Sequence, residues 1–468
     1  MNRKSRPFGR RAIGLTVSLV AVLASCVTTP SKVYTVIEPL EPVNTAGEGR
    51  IVLPINQVLT PAGRQVELPG LRPQGLVLSP DGKLLVTSGK TAELVLLDPA
   101  SGAVLQRVAL PSEKATTENA DAVSSHLLTP DKDGELSYTG LRFSPDGTRI
   151  YLSNVKGSVK VFAVGADHRC APLYSFPLPE TGLSYRHKEI PAGLAVSADG
   201  SRLYVALNVS NRLLEMDAAT GRQLRLFDVG NVPYDVLLVG NKAYVSNWGG
   251  RRPDTQTLTG PIGIGATVRV DPVRFIANEG SVSVIDLEAG KTTAEIMVGL
   301  HASALALSPD AHNLVVANAN SDTLSVIDTR SDRVVETVSM RWQPNDPFGA
   351  SPNALAFDAA GENLYVCNGT QNAIAVLAFR PGHTKLTGLI PTGWFPGAIT
   401  FDSSRRAIYV ANIKGIGSGR RFAPDQQRRL GSHQYFGTLS LISLPDKKQL
   451  ADDTVIDRKS TRLNSSHS

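Results

Sequence analysis

The sequence predicts an all-β chain folded as a seven-bladed β-propeller of four-stranded antiparallel blades, with the ring closed by an N-terminal strand segment. Three observations carry this expectation. First, residues 302–340 read as four short strands. Ala304–Leu307, Leu314–Asn318, Leu324–Asp328 and Val334–Val338 are rich in β-branched residues, and Ser308-Pro309-Asp310 and Arg330-Ser331-Asp332 are turn sequences. Second, the unit recurs. The first-strand position of Leu305 is matched by Leu76, Leu141, Leu194, Val236, Leu355 and Ile399. The shortest interval, from Leu194 to Val236, lies in the range of about 40–45 residues expected of a four-stranded blade. Third, one such sheet cannot bury both of its faces, so the unit needs copies beside it.

The later parts of the unit recur with it. Strand two reads Tyr151-Leu152-Ser153-Asn154, Tyr244-Val245-Ser246-Asn247, Tyr365-Val366-Cys367-Asn368 and Tyr409-Val410-Ala411-Asn412. Strand three closes on Asp98, Asp217, Asp286 and Asp328, and Gly102, Gly221 and Gly290 follow four residues after the first three. Blade seven has strands over 398–402, 407–411 and 437–443, with Gln449–Val455 as a candidate fourth. The segments Arg50–Leu53 and Arg64–Leu68, joined through Pro61-Ala62-Gly63, look like the outer part of a blade. They are expected to pack on blade seven and close the ring, which removes the open sheet edges.

These residues carry a resemblance. The Tyr-Val-x-Asn tetrads and the Ser325-Val326-Ile327-Asp328 run resemble the YVTN-repeat (YncE-like) β-propeller family over roughly residues 50–450. The segments Ile390–Ala398, Val410–Ser418 and Gly437–Ile442 resemble the last blade of a subgroup. In that subgroup the propeller precedes an alkaline-phosphatase-superfamily phosphoesterase domain. Such a domain implies divalent metals held by Asp and His, but none of those motifs occurs in residues 1–456, so no ligand or nucleophile is carried over.

The chain ends are read separately. Arg3, Lys4, Arg6, Arg10 and Arg11 precede an apolar run from Ile13 to Ala24, which is too short to span a bilayer. Leu23-Ala24-Ser25-Cys26 resembles a bacterial lipobox, which implies a signal peptide over 1–25 and lipidation of Cys26. Val27 after the cysteine favours the outer membrane, so the expected location is the periplasm or cell envelope. Residues 26–48 read as a flexible tether and 49–456 as the propeller. Residues 457–468 resemble a translated sequencing adapter, and the natural chain is expected to continue past Ile456. Of the formal charge of +6, none remains within residues 26–456, which carry 40 basic and 41 acidic side chains. The basic pI is therefore no argument for nucleic-acid binding, and no nucleic-acid partner is expected.

Long excursions at 111–137, 180–190, 248–279, 341–351 and 413–436 all belong to the two loop types that leave one face of the disc, while the other face keeps tight turns. Function concentrates where loops are built onto a rigid scaffold. The elaborated face carries Trp248, Arg251, Arg252, Trp342, Trp394, Arg420, Arg421, His433 and Tyr435. Tryptophan, tyrosine and arginine dominate interface hot spots, so these residues form the expected partner-binding face. Packing of the loops against one another is the structural alternative.

No catalytic set emerges. The eight histidines include no HExxH pair, and no CxxCH haem-attachment site occurs. Non-covalent haem, as in the cytochrome-d1-like propellers that the fold resembles, needs an axial His at the channel mouth. His301, just before strand one of blade five, lies at that height, and a solvated loop His is the preferred reading. Gly260-Pro261-Ile262-Gly263-Ile264-Gly265 lacks the strand–helix context of a dinucleotide site. The asparagines ending strand two are expected to bind blade backbones. Cys170 and Cys367 lie on blades that are not neighbours and are expected to stay unpaired.

The expected function is a non-catalytic, lipid-anchored binding or docking platform without a cofactor of its own. It is expected to be monomeric and to belong to a longer, metal-dependent phosphoesterase. A stand-alone envelope-binding propeller, with a protein or cell-envelope ligand, is one alternative. A haem- or quinone-dependent oxidoreductase is the other.

Overall fold

The computed structural model describes residues 46–465 apart from 48–49, 54–56, 118–128, 263–265 and 418–434. Blade five shows the plan. Its strands Ala302–Leu307, Asn313–Asn318, Thr323–Asp328 and Arg333–Ser339 pair antiparallel in chain order. Six blades follow this order, and the seventh takes its fourth strand from elsewhere in the chain. First strands pack on first strands around a central channel.

The turn residues of the repeat are used alike from blade to blade. On the plain face the Ser79, Ser144, Ser197 and Ser308 hydroxyls each donate to the Asp two residues on. After strand three, the carboxylates of Asp98, Asp217 and Asp328 accept backbone N–H groups of the following turn. Gly221 sits there at φ +75°, and a Cβ would lie 2.4 Å from the Phe176 ring, so the turn needs glycine for both reasons.

Alternating burial in the strands makes seven apolar layers, one between each pair of adjacent blades. The strand-two tyrosines cross these layers. Tyr151 donates to the carbonyl of Ala218 in blade three, and Tyr244 to the carbonyl of Thr329 in blade five, at 3.1 and 3.2 Å. Cys170 and Cys367 are buried and unpaired.

Blade seven consists of Trp394–Asp402, Ala407–Gly417, Phe436–Ser443 and Arg64–Leu68. The N-terminal strand pairs from Leu68 opposite Gly437 to Arg64 opposite Leu441, closing the ring as expected. Leu68 is wholly buried in the layer between blades seven and one. The expectation of a strand over Gln449–Val455 is corrected: Lys447–Ser465 is an α-helix. With Arg64–Leu68 in place, the fourth-strand position beside Phe436–Ser443 is already taken. Asp446 instead caps a helix, its carboxylate accepting the Gln449 N–H at 2.8 Å. The helix packs on strand four of blade six, with Leu450 over Gly388. It is too polar to cross a membrane, and no helix among the described residues is long and apolar enough to do so.

Because Leu68 fills the closing layer, Leu68→Ala is expected to destabilise the ring by about 2–5 kcal/mol. Urea unfolding read by tryptophan fluorescence measures this. A midpoint equal to the parent's would show that closure contributes nothing.

Candidate binding face and channel mouth

Two excursions on the elaborated face are anchored in different ways. In blade four the loop between strands two and three (Lys242–Asn247 and Gly280–Asp286) folds back as a small hairpin, Thr259–Pro261 with Thr267–Arg269. Val268 and Val270 bury against Val232 beside Trp248. Gly260 and Pro261 of the glycine run lie in the hairpin's first strand, and residues 263–265 lie outside the described residues. Arg251 makes a bidentate pair with Glu279, at 3.0 and 2.5 Å. Arg252 donates to the Val229 carbonyl at 2.7 Å and to Asp228 at 3.1 Å. Arg252 thus ties the excursion to blade three, and Arg251 joins the two ends of the excursion to each other.

The excursion before blade two is held by an ammonium inside the protein. Lys160, on strand three, is fully buried; its Nζ lies 2.8 Å from the Pro111 carbonyl, 2.7 Å from Glu113 and 3.1 Å from Asp131. Burial opposes ionisation of Asp131, but the Lys156 and Lys160 ammonium groups outweigh it and bring its pKa down to about 2.

The three tryptophans do not meet. Trp342 is half-buried against the layer between blades five and six. Trp394 is buried against Leu53 and Leu59, with Tyr435 edge-on at 5.2 Å and the Lys414 ammonium 4.8 Å above its ring. Trp248 stands elsewhere. Arg420, Arg421 and His433 lie outside the described residues.

At the channel mouth Trp248 joins a cluster that composition alone did not reveal. Tyr234 and His301 lie parallel to its ring at 4.6 and 4.3 Å, and Tyr138 stands edge-on at 5.2 Å. The Tyr138 hydroxyl donates to Asn208 Oδ1 at 3.1 Å. Trp248 Nε1 is buried and has no hydrogen-bond partner among the described residues. Such stacked and T-shaped pairs contribute about 0.5–1.5 kcal/mol each beyond burial. His301 is therefore not a solvated loop residue. Burial pushes its pKa down to about 4, so its imidazole is neutral near pH 7.

Below the cluster, Asp235 occupies the column that holds Gly75, Gly140, Gly193, Ala304, Ala354 and Ala398 in the other blades. It is buried, and its carboxylate accepts the N–H groups of Leu305 and Val236 at 3.0 and 2.9 Å. The Arg142 guanidinium lies 3.7 Å away. Burial raises the Asp235 pKa, and Arg142 opposes that rise. A Cβ on Gly193 would sit 2.6 Å from Asp235 Oδ1, so blade three leaves the space that this carboxylate fills. The departures of Tyr234 and Asp235 from their repeat columns were the available signal for this site.

The strand-two asparagines are corrected in detail. Asn154, Asn247, Asn318, Asn368 and Asn412 are fully buried. Their amide groups donate mainly to side-chain oxygens, as Asn412 does to Thr438 and Ser440 at 3.0 and 2.8 Å. The reason is local: in four of the five blades strand three places a hydroxyl beside the amide, and Asn368 donates instead to Gln371 Oε1 at 2.9 Å.

The depressed pKa of His301 has a pH consequence. Unfolded, the residue protonates near pH 6.5; folded, only near 4. Its contribution to stability is therefore complete above about pH 6.5 and is lost as pH falls towards 4. Melting temperature should drop more steeply between pH 7 and 4.5 in the parent than in His301→Phe. Parallel curves would show that the imidazole titrates normally.

Comparison with known proteins places the fold. A family model described as the Cytochrome D1 heme domain matches residues 271–417, under half of the chain. No curated protein matches. Among solved structures, the chain is similar to Kuenenia stuttgartiensis hydrazine synthase, at 16% identity and a TM-score of 0.54, covering 74% of this chain and 94% of that one. It is also similar to U3-55K, at 12% identity and a TM-score of 0.56, covering 82% and 98%. The RRP9 WD40 repeats match at 13% identity and a TM-score of 0.56, covering 81% and 97%. At these identities the likeness is one of fold, and the chain is a seven-bladed β-propeller.

Proposed function

We propose that this chain is a non-catalytic binding propeller whose loop-bearing face receives its partner. The observation that carries the reading is the one-sided build. Every long excursion leaves one face, and the Tyr138–Tyr234–Trp248–His301 cluster lies among them at the channel mouth. Among the described residues no group of three His, Cys, Asp or Glu side chains is placed to hold a metal. Export and lipidation at Cys26, in the periplasm and towards the outer membrane, form part of the proposal on the strength of the lipobox resemblance. So does a native fusion to a phosphoesterase, on the resemblance of blade seven.

A second reading is favoured by one specific observation. The match to the Cytochrome D1 heme domain includes His301, and its neutral imidazole is the form that ligates iron. His301 would hold the haem there, and bound haem would supply one-electron chemistry.

A photo-crosslinking residue at position 185, on the loop face, and another at position 220, in a plain-face turn, separate the alternatives. Adducts in envelope preparations are expected from position 185 and not from 220; the reverse pattern would overturn the binding-face reading. Titration of the purified chain with haemin tests the second reading. A Soret shift in the parent that disappears in His301→Ala would establish it, and no shift in either would eliminate it.

A further inference from the structure

The turn at 271–276 of the blade-four excursion leaves its apolar side chains largely in water. Val273, Phe275 and Ile276 are 82%, 67% and 49% exposed. At the base of the same excursion Val268 and Val270 are buried, so the tip is not a failed piece of core. It is also firmly built. The Phe275 N–H donates to the Asp271 carbonyl, and the Asp271 N–H to that of Ile276, both at 2.9 Å. The Asp271 carboxylate accepts the N–H groups of Val273 and Arg274 at 2.9 and 2.8 Å. Phe275 is held at φ +57°, a left-handed conformation that bulky residues rarely adopt. The turn therefore holds three apolar side chains largely in water, with Arg274 between them 68% exposed and 3.5 Å from the Asp271 carboxylate.

Two more loops of this face repeat the combination. Tyr185 is 54% exposed and is followed by Arg186, His187 and Lys188. Phe348 is 68% exposed, with the Arg341 guanidinium 4.6 Å above its ring. Aromatic and aliphatic side chains beside basic ones suit the interface of a bilayer, where rings enter the headgroup zone and cations meet anionic lipid. The tip is a protrusion rather than a groove, so a protein would have to supply a matching pocket, whereas a lipid surface yields to it. The chain before the ring is compatible in reach. Leu53 and Leu59 pack on Trp394 at this face, and the 20 residues from Cys26 to Ala46 span at most about 70 Å.

We infer that the loop-bearing face lies on an anionic lipid surface, with Val273, Phe275 and Ile276 inserted in the interfacial zone and Arg274 at the headgroups. This rests on the binding-face reading and names its partner.

Flotation with phosphatidylethanolamine–phosphatidylglycerol vesicles tests it, with phosphatidylcholine vesicles as the neutral control. The chain used begins at residue 26 and carries Cys26→Ser, which removes the acyl group and the apolar leader but keeps the whole ring. Binding to the anionic vesicles is expected, and weaker binding to the neutral ones. The combined Val273→Ser, Phe275→Ser and Ile276→Ser variant should partition at least about tenfold less at unchanged melting temperature. No vesicle binding by the parent, or equal binding by the variant, would overturn the inference. So would a parent dimer in sedimentation that the variant converts to monomer, since the tip would then serve a second copy. If vesicles fail while position 185 still yields adducts, the lipid inference falls and the binding face stands; adducts from position 220 alone would remove the binding face itself.

Discussion

Everything in this ring depends on five residues that pair with a strand some 370 positions later. Arg64–Leu68 completes blade seven, and without it the Phe436–Ser443 strand would present a row of open N–H and C=O groups. The pairing also decides the fate of neighbouring sequence. Leu68 and Val66 fill the last apolar layer, between the first blade and the last. The segment after Ser443, denied a place in the sheet, forms a helix on the flank of blade six. One long-range ladder thus converts six self-contained blades and a remnant into a closed structure.

Repetition made the architecture legible, because each strand and turn was stated several times. Tyr151, Tyr244 and Tyr409 each mark strand two, and the structure shows why tyrosine suits the place: its ring fills an inter-blade layer and its hydroxyl reaches a polar group at the plain face. Ser-x-Asp turns recur because the hydroxyl–carboxylate pair closes them without outside help. The helix at Lys447 was missed because its fate depended on competition for an edge, a contact distant in sequence.

The candidate site was only partly readable. Type and loop location pointed to Trp248, yet its partners Tyr138 and Tyr234 stand on first strands and looked like ordinary strand residues. Asp235 was hidden in the same way. Asp235 carries meaning only by contrast with the glycine or alanine of the other blades, and the two tyrosines only by a convergence across the channel that joins positions about 100 residues apart. The two arginines after Trp248 have a structural role that sequence alone did not disclose. Their type suggests contact with a partner, and the structure adds that Glu279, Asp228 and the Val229 carbonyl hold part of each guanidinium while both side chains stay partly exposed.

Division of the interior into seven thin layers has an evolutionary side. No single centre exists through which a disturbance at one blade must pass, and sites in separate layers should contribute nearly independently to stability. Lengthening a loop on such a frame costs little, roughly 0.6 kcal/mol for each doubling of its length. Blade four spends that freedom on a hairpin with a small core of its own at Val268 and Val270, while blade five, built on the same plan, keeps every loop within the blade short. A lineage can therefore rewrite what one sector of the disc touches and leave the other six sectors as they were.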